Sequence, residues 1–305
     1  MRVAAIDIGT NSALLTVVQL QKPGKLQGVY EAQKITRLGK GTDKSKKLSM
    51  SSMRRTLAAV RQFQNIALKY RAEKIWAVGT SALREAANRH KFIKMVKRGT
   101  GLKVEIISGK KEAILTFKGA LLGLKLKTPK ITLIDIGGGS TEISWVTKGR
   151  LRKSISLDLG SVRLTEQYFP KNLSNKDRIW SLNVFLCNNW NKLAEWKFQD
   201  SILVGTAGTV TTLAALDLDL RKYNSGKVHG HSLAQIKVQK LFEKLCSLNL
   251  SRRKKLLSTE PKRADVIVAG SAILLSFMQF FKFERIIVSD RGLRWGLIRH
   301  KLRLN

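Results

Sequence analysis

The chain has 305 residues, of which 43% are hydrophobic, so it can bury a core and is not a disordered basic tail. Its 57 Lys and Arg far outnumber its 21 Asp and Glu, and the formal net charge is +36. A surface this basic indicates a polyanionic partner, namely nucleic acid, an anionic membrane or a phosphate-rich substrate. The two cysteines, Cys187 and Cys246, exclude a disulfide framework and make a reducing cytoplasm the expected compartment.

No segment of the sequence is predicted to enter a membrane. The apolar run that follows Met1 is broken at Asp7, too early for a signal peptide. The most apolar window, Val266–Phe281, is shorter than the roughly 20 residues that span a bilayer, so it predicts a buried helix. We therefore expect a cytoplasmic protein without a membrane partner.

The first part of the chain predicts alternating strands and helices. Val3–Ile8 predicts a buried strand, and it is joined to a second strand by the turn Gly9–Ser12. Residues 34–50 predict a basic loop. The three- and four-residue spacing of Met53, Leu57, Val60, Phe63 and Ala67 predicts a helix from Ser51. Further elements are then predicted in order: the strand Ile75–Val78, a helix carrying Arg84 and Asn88, the strand Val104–Ile107, and a helix running through Glu112 to about Leu122.

The opening pattern returns in the second part of the chain. The apolar run Ile131–Ile136 again has an Asp near its end, and it is followed by a glycine turn and the strand Ile143–Val146. A helix over residues 175–200 and further strands at Ser201–Val204 and Ile286–Val288 complete the alternation. The repeat indicates a duplicated α/β domain with a cleft between the halves.

Three glycine turns contain hydroxyl residues, at Gly9–Ser12, Gly137–Thr141 and Gly205–Thr209. Glycine allows backbone amides to converge on an anion, so these turns indicate phosphate binding, although each could be only a tight turn. The predicted phosphate-binding residues of these turns are Thr10, Asn11, Ser12, Gly137, Gly138, Gly139, Ser140, Thr141, Gly208 and Thr209.

Asp7 and Asp135 lie at the ends of apolar strands, where an unpaired carboxylate is costly to bury. Both indicate Mg²⁺ ligation beside phosphate, and the alternative is that each carboxylate caps its own turn. Glu142 could bind the same ion or orient a water. Glu112 could activate a water, or could instead interact with the dipole of its helix.

At these residues the sequence resembles the exopolyphosphatase / guanosine pentaphosphate phosphohydrolase (Ppx/GppA) family of the actin-like ATPase superfamily. The matching segments run in family order along nearly the whole chain: AAIDIGTNS (4–12), TSALREAANR (80–89), ISGKKEA (107–113), IDIGGGSTEIS (134–144), LGSVRLTE (159–166), VGTAGTVTTLAAL (204–216), RADVIVAG (263–270) and VSDRGLRWG (288–296).

The resemblance implies two ribonuclease-H-like α/β domains with an interdomain cleft. We expect them at residues 1–125 and 126–290, with the C-terminal helix at about 291–305 packing back on the first. It also implies release of terminal orthophosphate from inorganic polyphosphate by metal-assisted attack of water. The expected cofactor is Mg²⁺ or Mn²⁺, with a monovalent cation such as K⁺ left open, as is a homodimer.

The resemblance also implies roles for individual residues. Glu112 matches the catalytic glutamate that activates water. Asp135 and Glu142 match acids that hold the metal and arrange the nucleophile, and Asp7 matches a further acid near the metal. Arg84 matches an arginine that contacts phosphate.

Two positions depart from the family pattern, namely Lys111, which replaces one acid of a pair, and Trp295, which replaces an acid near the C-terminus. The alternative functions are hydrolysis of guanosine pentaphosphate, binding of polyphosphate or guanosine penta- or tetraphosphate as a sensor with little turnover, and, least favoured, an actin-like kinase. Binding of nucleic acid is expected only through non-specific charge.

Overall fold

The computed structural model describes residues 1–22, 24–170, 176–196, 198 and 200–304. These residues form two compact units. Unit 1 comprises Met1–Gly119 together with Gly292–Asn305, and unit 2 comprises Ala120–Arg291. The final segment of the chain therefore belongs to unit 1.

Unit 1 contains a five-stranded sheet with the order β3-β2-β1-β4-β5. Strands β1, β2 and β3 are antiparallel to their neighbours, whereas β4 and β5 are parallel to β1 and need helical crossovers. The strands are β1 Arg2–Ile8, β2 Ser12–Gln21, β3 Lys25–Ile35, β4 Lys74–Gly79 and β5 Val104–Ile106.

The helices of unit 1 pack their apolar faces against this sheet. The long helix α2 spans Met50–Lys69. At its N-terminus the side chain of Ser49 accepts a hydrogen bond from the amide of Ser52, and along its length Met53, Val60 and Phe63 are buried. The helices between residues 42 and 120 are α1 Thr42–Ser45, α2 Met50–Lys69, α3 Ser81–Glu85, α4 Arg89–Thr100 and α5 Gly109–Ala120.

Unit 2 contains a six-stranded sheet with the order β10-β11-β9-β6-β7-β8. Strands β6, β7 and β8 form an antiparallel meander, and β9 is parallel to β6 on its other side. The strands are β6 Lys130–Ile136, β7 Thr141–Thr147, β8 Arg150–Leu157, β9 Ile202–Thr206, β10 Ser232–Ala234 and β11 Arg285–Val288.

Helix α12, Ile267–Phe280, is buried along nearly its whole length and forms the centre of the unit 2 core. It corresponds to the apolar window of the sequence. No helix in the described part of the chain is both long and apolar enough to cross a bilayer. The helices are α6 Ser161–Tyr168, α7 Lys176–Asn191, α8 Ala207–Asp217, α9 Ser225–Val228, α10 Gln235–Ser247, α11 Leu250–Leu256, α12 Ile267–Phe280 and, in unit 1, α13 Leu293–Lys301.

The two sheets share one topology. In unit 2 the strands β8-β7-β6-β9-β11 repeat the order and directions of β3-β2-β1-β4-β5 in unit 1, with β10 added at the edge. The duplicated α/β domain predicted from the two strand–Asp–glycine hairpins is therefore confirmed.

Some local predictions were wrong. The third strand of each meander, β3 and β8, was not predicted, because each carries many charged and polar residues and lacks a continuous apolar run. Asn88 does not lie inside a helix with Arg84; it lies between α3 and α4. On α7, Leu186 and Trp190 are buried, whereas Trp180 is 69% exposed. Part of the predicted helix over 175–200 lies outside the described residues.

Candidate active site

The turn Gly9–Ser12 joins β1 to β2, and hydrogen bonds from the segment 37–39 support one side of it. The amide of Gly9 donates to the Ser12 carbonyl at 2.9 Å and closes the turn. The Thr10 carbonyl accepts from Gly39 at 2.9 Å, and the Asn11 carbonyl accepts from Arg37 at 2.8 Å. Because the carbonyl and amide of a trans peptide point in opposite directions, the amides of Asn11 and Ser12 face away from this supporting segment.

Two side chains at this turn carry buried polar atoms without a hydrogen-bond partner among the described residues. They are Asp7 Oδ1 and both amide atoms of Asn11, which is 4% exposed. Burial raises the pKa of Asp7 to about 6, although the nearby Arg294 opposes this shift. Unpartnered buried polar atoms cost stability, so their clustering at one turn indicates a polar ligand.

Arg84 and Glu112 form an ion pair in unit 1. Arg84, on α3, donates through Nη1 to Glu112 Oε2 and to the Ile107 carbonyl, the latter at 3.2 Å. Glu112 is in the first turn of α5, where its amide donates to the Ser108 carbonyl at 2.8 Å, and the residue is only 7% exposed. Two of the predicted site residues, the water-activating acid and the phosphate-contacting arginine, therefore lie in direct contact.

The neighbour of Glu112, Lys111, is turned toward a different acid. Its Nζ donates to Glu105 Oε1 on β5, and Lys301 Nζ on α13 donates to the second oxygen of Glu105 at 3.1 Å. The hydrogen bond from Lys111 is the main reason why the pKa of Glu105 lies below its usual value; partial burial opposes it, and Lys301 adds to the lowering. Glu105 thus balances the charge of the lysine that replaces an acid of the family pattern.

The turn Gly137–Ser140 in unit 2 repeats the first turn. The amide of Gly137 donates to the Ser140 carbonyl at 3.0 Å. The first amides of α6 hold the other side, since Ser161 donates to the Gly137 carbonyl at 3.0 Å and Val162 donates to the Gly138 carbonyl at 2.8 Å. The α6 amides are therefore used to fix the turn.

The amides of this turn point to the opposite side. The carbonyls of Gly137 and Gly138 face α6, and Arg163 Nε donates to the Gly139 carbonyl at 2.9 Å. The amides of Gly138, Gly139 and Ser140 consequently face away from α6, and within the described chain they donate to no other group. Three successive backbone donors on one side of a turn are suited to bind an anion.

Thr141 contributes to the fold of this turn through its hydroxyl. It is fully buried, and its Oγ1 donates to the Leu159 carbonyl. Gly160 allows the close contact with α6, because a Cβ atom there would lie 2.2 Å from the Gly138 carbonyl oxygen.

Asp135 and Glu142 are directly paired across β6 and β7, and Thr206 is the partner of Asp135 on β9. Directly paired residues project from the same face of a sheet with their Cβ atoms about 5 Å apart, and like charges there destabilise the pair. Both carboxylates are nevertheless buried, at 9% and 2% exposed. Ser156, which sequence reasoning missed, donates to Glu142 Oε1 at 2.6 Å from β8.

Asp135 and Glu142 are suited to bind a divalent cation whose remaining coordination positions are filled by other ligands. Among the described residues there is no cluster of three or more His, Cys, Asp or Glu side chains that could enclose a metal. Mg²⁺, however, usually keeps several waters and is bound by one or two carboxylates together with phosphate. The hard oxygen pair of Asp135 and Glu142, with its like charges, is a donor set of the kind that such an ion prefers.

The third glycine turn, Gly205–Thr209, is packed closely against other residues of unit 2. A Cβ atom on Gly208 would lie 2.0 Å from the guanidinium carbon of the buried Arg263, and one on Gly270 would lie 2.4 Å from the Thr209 hydroxyl. Burial lowers the pKa of Arg263, while Glu260 opposes this shift. The described contacts of Gly208 and Thr209 are thus with the core of unit 2, and their predicted role in phosphate binding stays a prediction.

The structure groups the other predicted residues within each unit. In unit 1, Asp7 precedes the turn that holds Thr10, Asn11 and Ser12, and Arg84 contacts Glu112. In unit 2, the glycine turn lies between the paired acids Asp135 and Glu142. Sequence reasoning missed Ser156 and Arg163; the alternation of serines on β8 is the only sequence signal that could have indicated the former.

Comparisons with known proteins identify the family of this chain. The Ppx/GppA phosphatase family profile matches residues 17–304. The bifunctional 3-dehydroquinate synthase/phosphatase of Fusobacterium nucleatum is 34% identical over 97% of this chain, which spans 46% of that protein. Exopolyphosphatase 2 of Mycobacterium tuberculosis is 29% identical over 97% of both chains.

A solved structure gives the same result. The crystal structure of the Aquifex aeolicus Ppx/GppA family member aligns with a TM-score of 0.82 and 33% identity, covering 99% of this chain and 98% of that one. The family model covers most of the residues, and the ordered motifs lie on the turns and acids described above. The chain therefore belongs to the Ppx/GppA phosphatase family.

Proposed function

We propose that this protein is an exopolyphosphatase that releases terminal orthophosphate from inorganic polyphosphate. The observation that carries the proposal is the Gly137–Ser140 turn, whose three outward-facing amides lie beside the buried pair Asp135 and Glu142. Such a turn suits a phosphate group, and the acids suit the cation that accompanies it. The full-length similarity to an exopolyphosphatase of Mycobacterium tuberculosis supports the same substrate.

In the proposed reaction, Glu112 acts as the general base. Its carboxylate accepts a proton from a water as the water oxygen attacks the terminal phosphorus. The bond from that phosphorus to the bridging oxygen breaks, leaving orthophosphate and a chain shortened by one phosphate. Arg84 orients Glu112 through their hydrogen bond and supplies positive charge to the phosphate oxygens.

The backbone turns position the substrate. The amides of Gly138, Gly139 and Ser140, together with those of Asn11 and Ser12, bind phosphate oxygens, and the side-chain amide of Asn11 gains the partners that it otherwise lacks. Phosphoryl transfer depends mainly on positioning and charge neutralisation, so these donors account for much of the catalysis.

Asp7, Asp135 and Glu142 are proposed to hold Mg²⁺ or Mn²⁺. When bound, the ion would neutralise charge on the phosphate oxygens. Ser156 donates a hydrogen bond to one oxygen of Glu142 and so fixes the orientation of this carboxylate.

The charge of the chain favours a long substrate. A linear polyphosphate releases many counterions when it binds a surface of net charge +36, as nucleic acids do, whereas a nucleotide needs only a local basic patch. Guanosine pentaphosphate is the competing substrate, since the same turns could hold its terminal phosphate. A sensor with little turnover would use the same residues for binding alone.

A side-by-side assay of phosphate release tests the proposal. Wild-type protein is incubated with long-chain polyphosphate, guanosine pentaphosphate and ATP in Mg²⁺, and binding of each is measured separately. We expect the highest kcat/KM with polyphosphate. Higher kcat/KM with guanosine pentaphosphate would favour the alternative hydrolase. Binding of polyphosphate without release of phosphate would favour the sensor and contradict the proposal.

A further inference from the structure

Two helices of unit 1 carry only one sign of charge. Helices α2 and α4 together contain nine Lys and Arg residues and no Asp or Glu. They lie next to each other, and Arg61 of α2 reaches across to donate to the Gly99 carbonyl on α4 at 3.2 Å. Concentrated charge of one sign costs stability through repulsion, and a bound anion would relieve it.

On α4 the cations form an exposed stripe. We define the α4 stripe as Lys91, Lys94, Lys97 and Arg98, all of which are exposed, while Phe92 and Val96 on the opposite face are buried. Spacings of three and four residues place these cations along one side of the helix over about 10 Å. Like charges at this spacing repel, and no acid on α4 relieves the repulsion.

The stripe begins beside the candidate active site. Arg89, at the start of α4, donates through Nη1 to the Arg84 carbonyl at 2.7 Å. Arg84 in turn contacts Glu112. The cations of α4 therefore continue along the chain from the residues to which the reaction is assigned.

A second group of cations lies on the loop of residues 40–47, which is attached to the start of α4. Lys40, Lys44, Lys46 and Lys47 are exposed, and the one acid of this segment, Asp43, lies 3.9 Å from Lys46 Nζ.

Two sets of hydrogen bonds hold this loop at both ends. Asn88 bonds to the amide and the carbonyl of Leu48, each at 2.9 Å, which fixes the end of the loop to the start of α4. At the other end, the amide of Gly39 donates to Thr10 in the first glycine turn. The loop thus runs from the phosphate-binding turn to the α4 stripe.

We infer that the Lys40–Lys47 loop and the α4 stripe form an exosite that binds distal phosphates of a linear polyphosphate whose terminal phosphate is at the active site. The inference rests on the proposed function and adds to it a reason for preferring long chains. A tripolyphosphate would be too short to use the whole stripe, whereas a long chain would gain contacts along it.

The surface lacks the feature that single-stranded nucleic acids require. Non-specific binding of single strands combines basic grooves with exposed aromatic side chains on which bases stack. Among the described residues, the largely exposed aromatics are Trp180 and Tyr223, and neither lies on α2 or α4. A chain of phosphates without bases needs only the cations.

The test compares two triple variants with equal loss of charge. The exosite variant is Lys91→Gln, Lys94→Gln, Lys97→Gln, and the control is Arg252→Gln, Lys254→Gln, Lys255→Gln, which removes three exposed cations from the equally acid-free helix α11 of unit 2. For each protein, kcat and KM are measured on tripolyphosphate and on long-chain polyphosphate over a range of salt concentrations, with thermal unfolding as a check of folding.

For the exosite variant we expect KM for long-chain polyphosphate to rise about tenfold, with kcat and the KM for tripolyphosphate unchanged. The slope of log KM against log salt should fall by about 2, since three cations no longer contact the chain. The control should match the wild type. An equal rise in KM on both substrates, the same rise in the control, or loss of single-stranded RNA binding without any change in long-chain KM would overturn the inference.

Failure of the proposed function would give a different result. In that case the wild type would release no phosphate from either substrate. Equilibrium binding of labelled long-chain polyphosphate would then test the exosite alone, and the exosite variant should still bind more weakly than both the wild type and the control. Equal binding by all three proteins would overturn the exosite itself.

Discussion

Arg84 donates a hydrogen bond to Glu112, and this pairing joins two motifs that are 28 residues apart in the chain. The carboxylate is buried at 7% exposure, and the guanidinium of Arg84 balances its charge there. Removing one member of a buried ion pair leaves the other uncompensated, which is strongly destabilising. The proposed base is therefore held in place by Arg84, the residue that the family pattern assigns to phosphate.

The pairing of Asp135 with Glu142 predicts a stability effect of Mg²⁺. In EDTA, Asp135→Asn should unfold at a higher temperature than the wild type, because it removes repulsion between two buried, directly paired carboxylates. Mg²⁺ at about 100 times its Kd should stabilise the wild type by about 2.7 kcal/mol and should stabilise this variant much less.

Thermal unfolding with and without Mg²⁺ measures both effects. Asp177→Asn, which changes an exposed acid on α7, serves as the control and should behave as the wild type. Equal stabilisation of all three proteins by Mg²⁺ would show that the ion does not bind at Asp135.

Gly160 predicts a loss of activity from a single added methyl group. In Gly160→Ala the Cβ atom would lie 2.2 Å from the Gly138 carbonyl oxygen, so the turn must shift away from α6. A misplacement of about 1 Å in a positioning element can cost roughly 100-fold in rate, and we expect a fall in kcat/KM of that order. In the control Gly226→Ala, the nearest atom is 3.4 Å from the new Cβ, and activity should be retained. Wild-type activity in Gly160→Ala would contradict the assigned role of the turn.

Trp295 is explained by packing against strand β3. It is 3% exposed, its ring lies 3.4 Å from the position of a Cβ on Gly28, and Nε1 donates to Glu31 at 2.9 Å. Trp295→Glu, which restores the acid of the family pattern, should destabilise unit 1 by at least about 3 kcal/mol, since it loses this packing and buries a second carboxylate near Glu31.

Urea unfolding measures the effect of this substitution. Trp295→Phe keeps most of the packing and loses the hydrogen bond, so it should cost only about 1 kcal/mol. If Trp295→Glu were as stable as the wild type, the acid would be tolerated at this position and the packing explanation would be wrong.

Glu105 predicts a pH-dependent contribution to stability. Hydrogen bonding from Lys111 is the main cause that holds its pKa below the usual 4.5. The stabilisation is therefore present above pH 4.5 and is lost as the pH falls through the lower folded-state value. Glu105→Gln should be less stable than the wild type at pH 7 by no more than about 1 kcal/mol, because the side chains of the pair are partly exposed. Urea midpoints should converge as the pH is lowered from 7; a difference that stays constant with pH would contradict the assignment.

The sequence predicted the framework of the fold because its signals are local. The apolar run before Asp7 and its repeat before Asp135 each precede a glycine turn, and both form strands in equivalent positions of the two sheets. The strands β3 and β8 were missed because they are identified by pairing with β2 and β7, and their partly exposed, charged residues give no clear period.

The contacts of the site could not be predicted in the same way. The support of Glu142 by Ser156 and the contact of Glu105 with Lys301, 196 residues away, depend on which strands and helices become neighbours. The role of Trp295 likewise became clear only from its contact with Glu31, which is 264 residues distant in the chain.

The most direct test of the account is the separation of binding from turnover in Glu112→Gln. Phosphate release from long-chain polyphosphate and equilibrium binding of the same substrate are measured on the wild type and on the variant in Mg²⁺. Because the amide keeps the size of the side chain but cannot accept the proton, we predict that kcat falls at least about 1,000-fold while Kd changes less than about twofold. Release of phosphate by Glu112→Gln at the wild-type rate would contradict the assignment of Glu112 as the base.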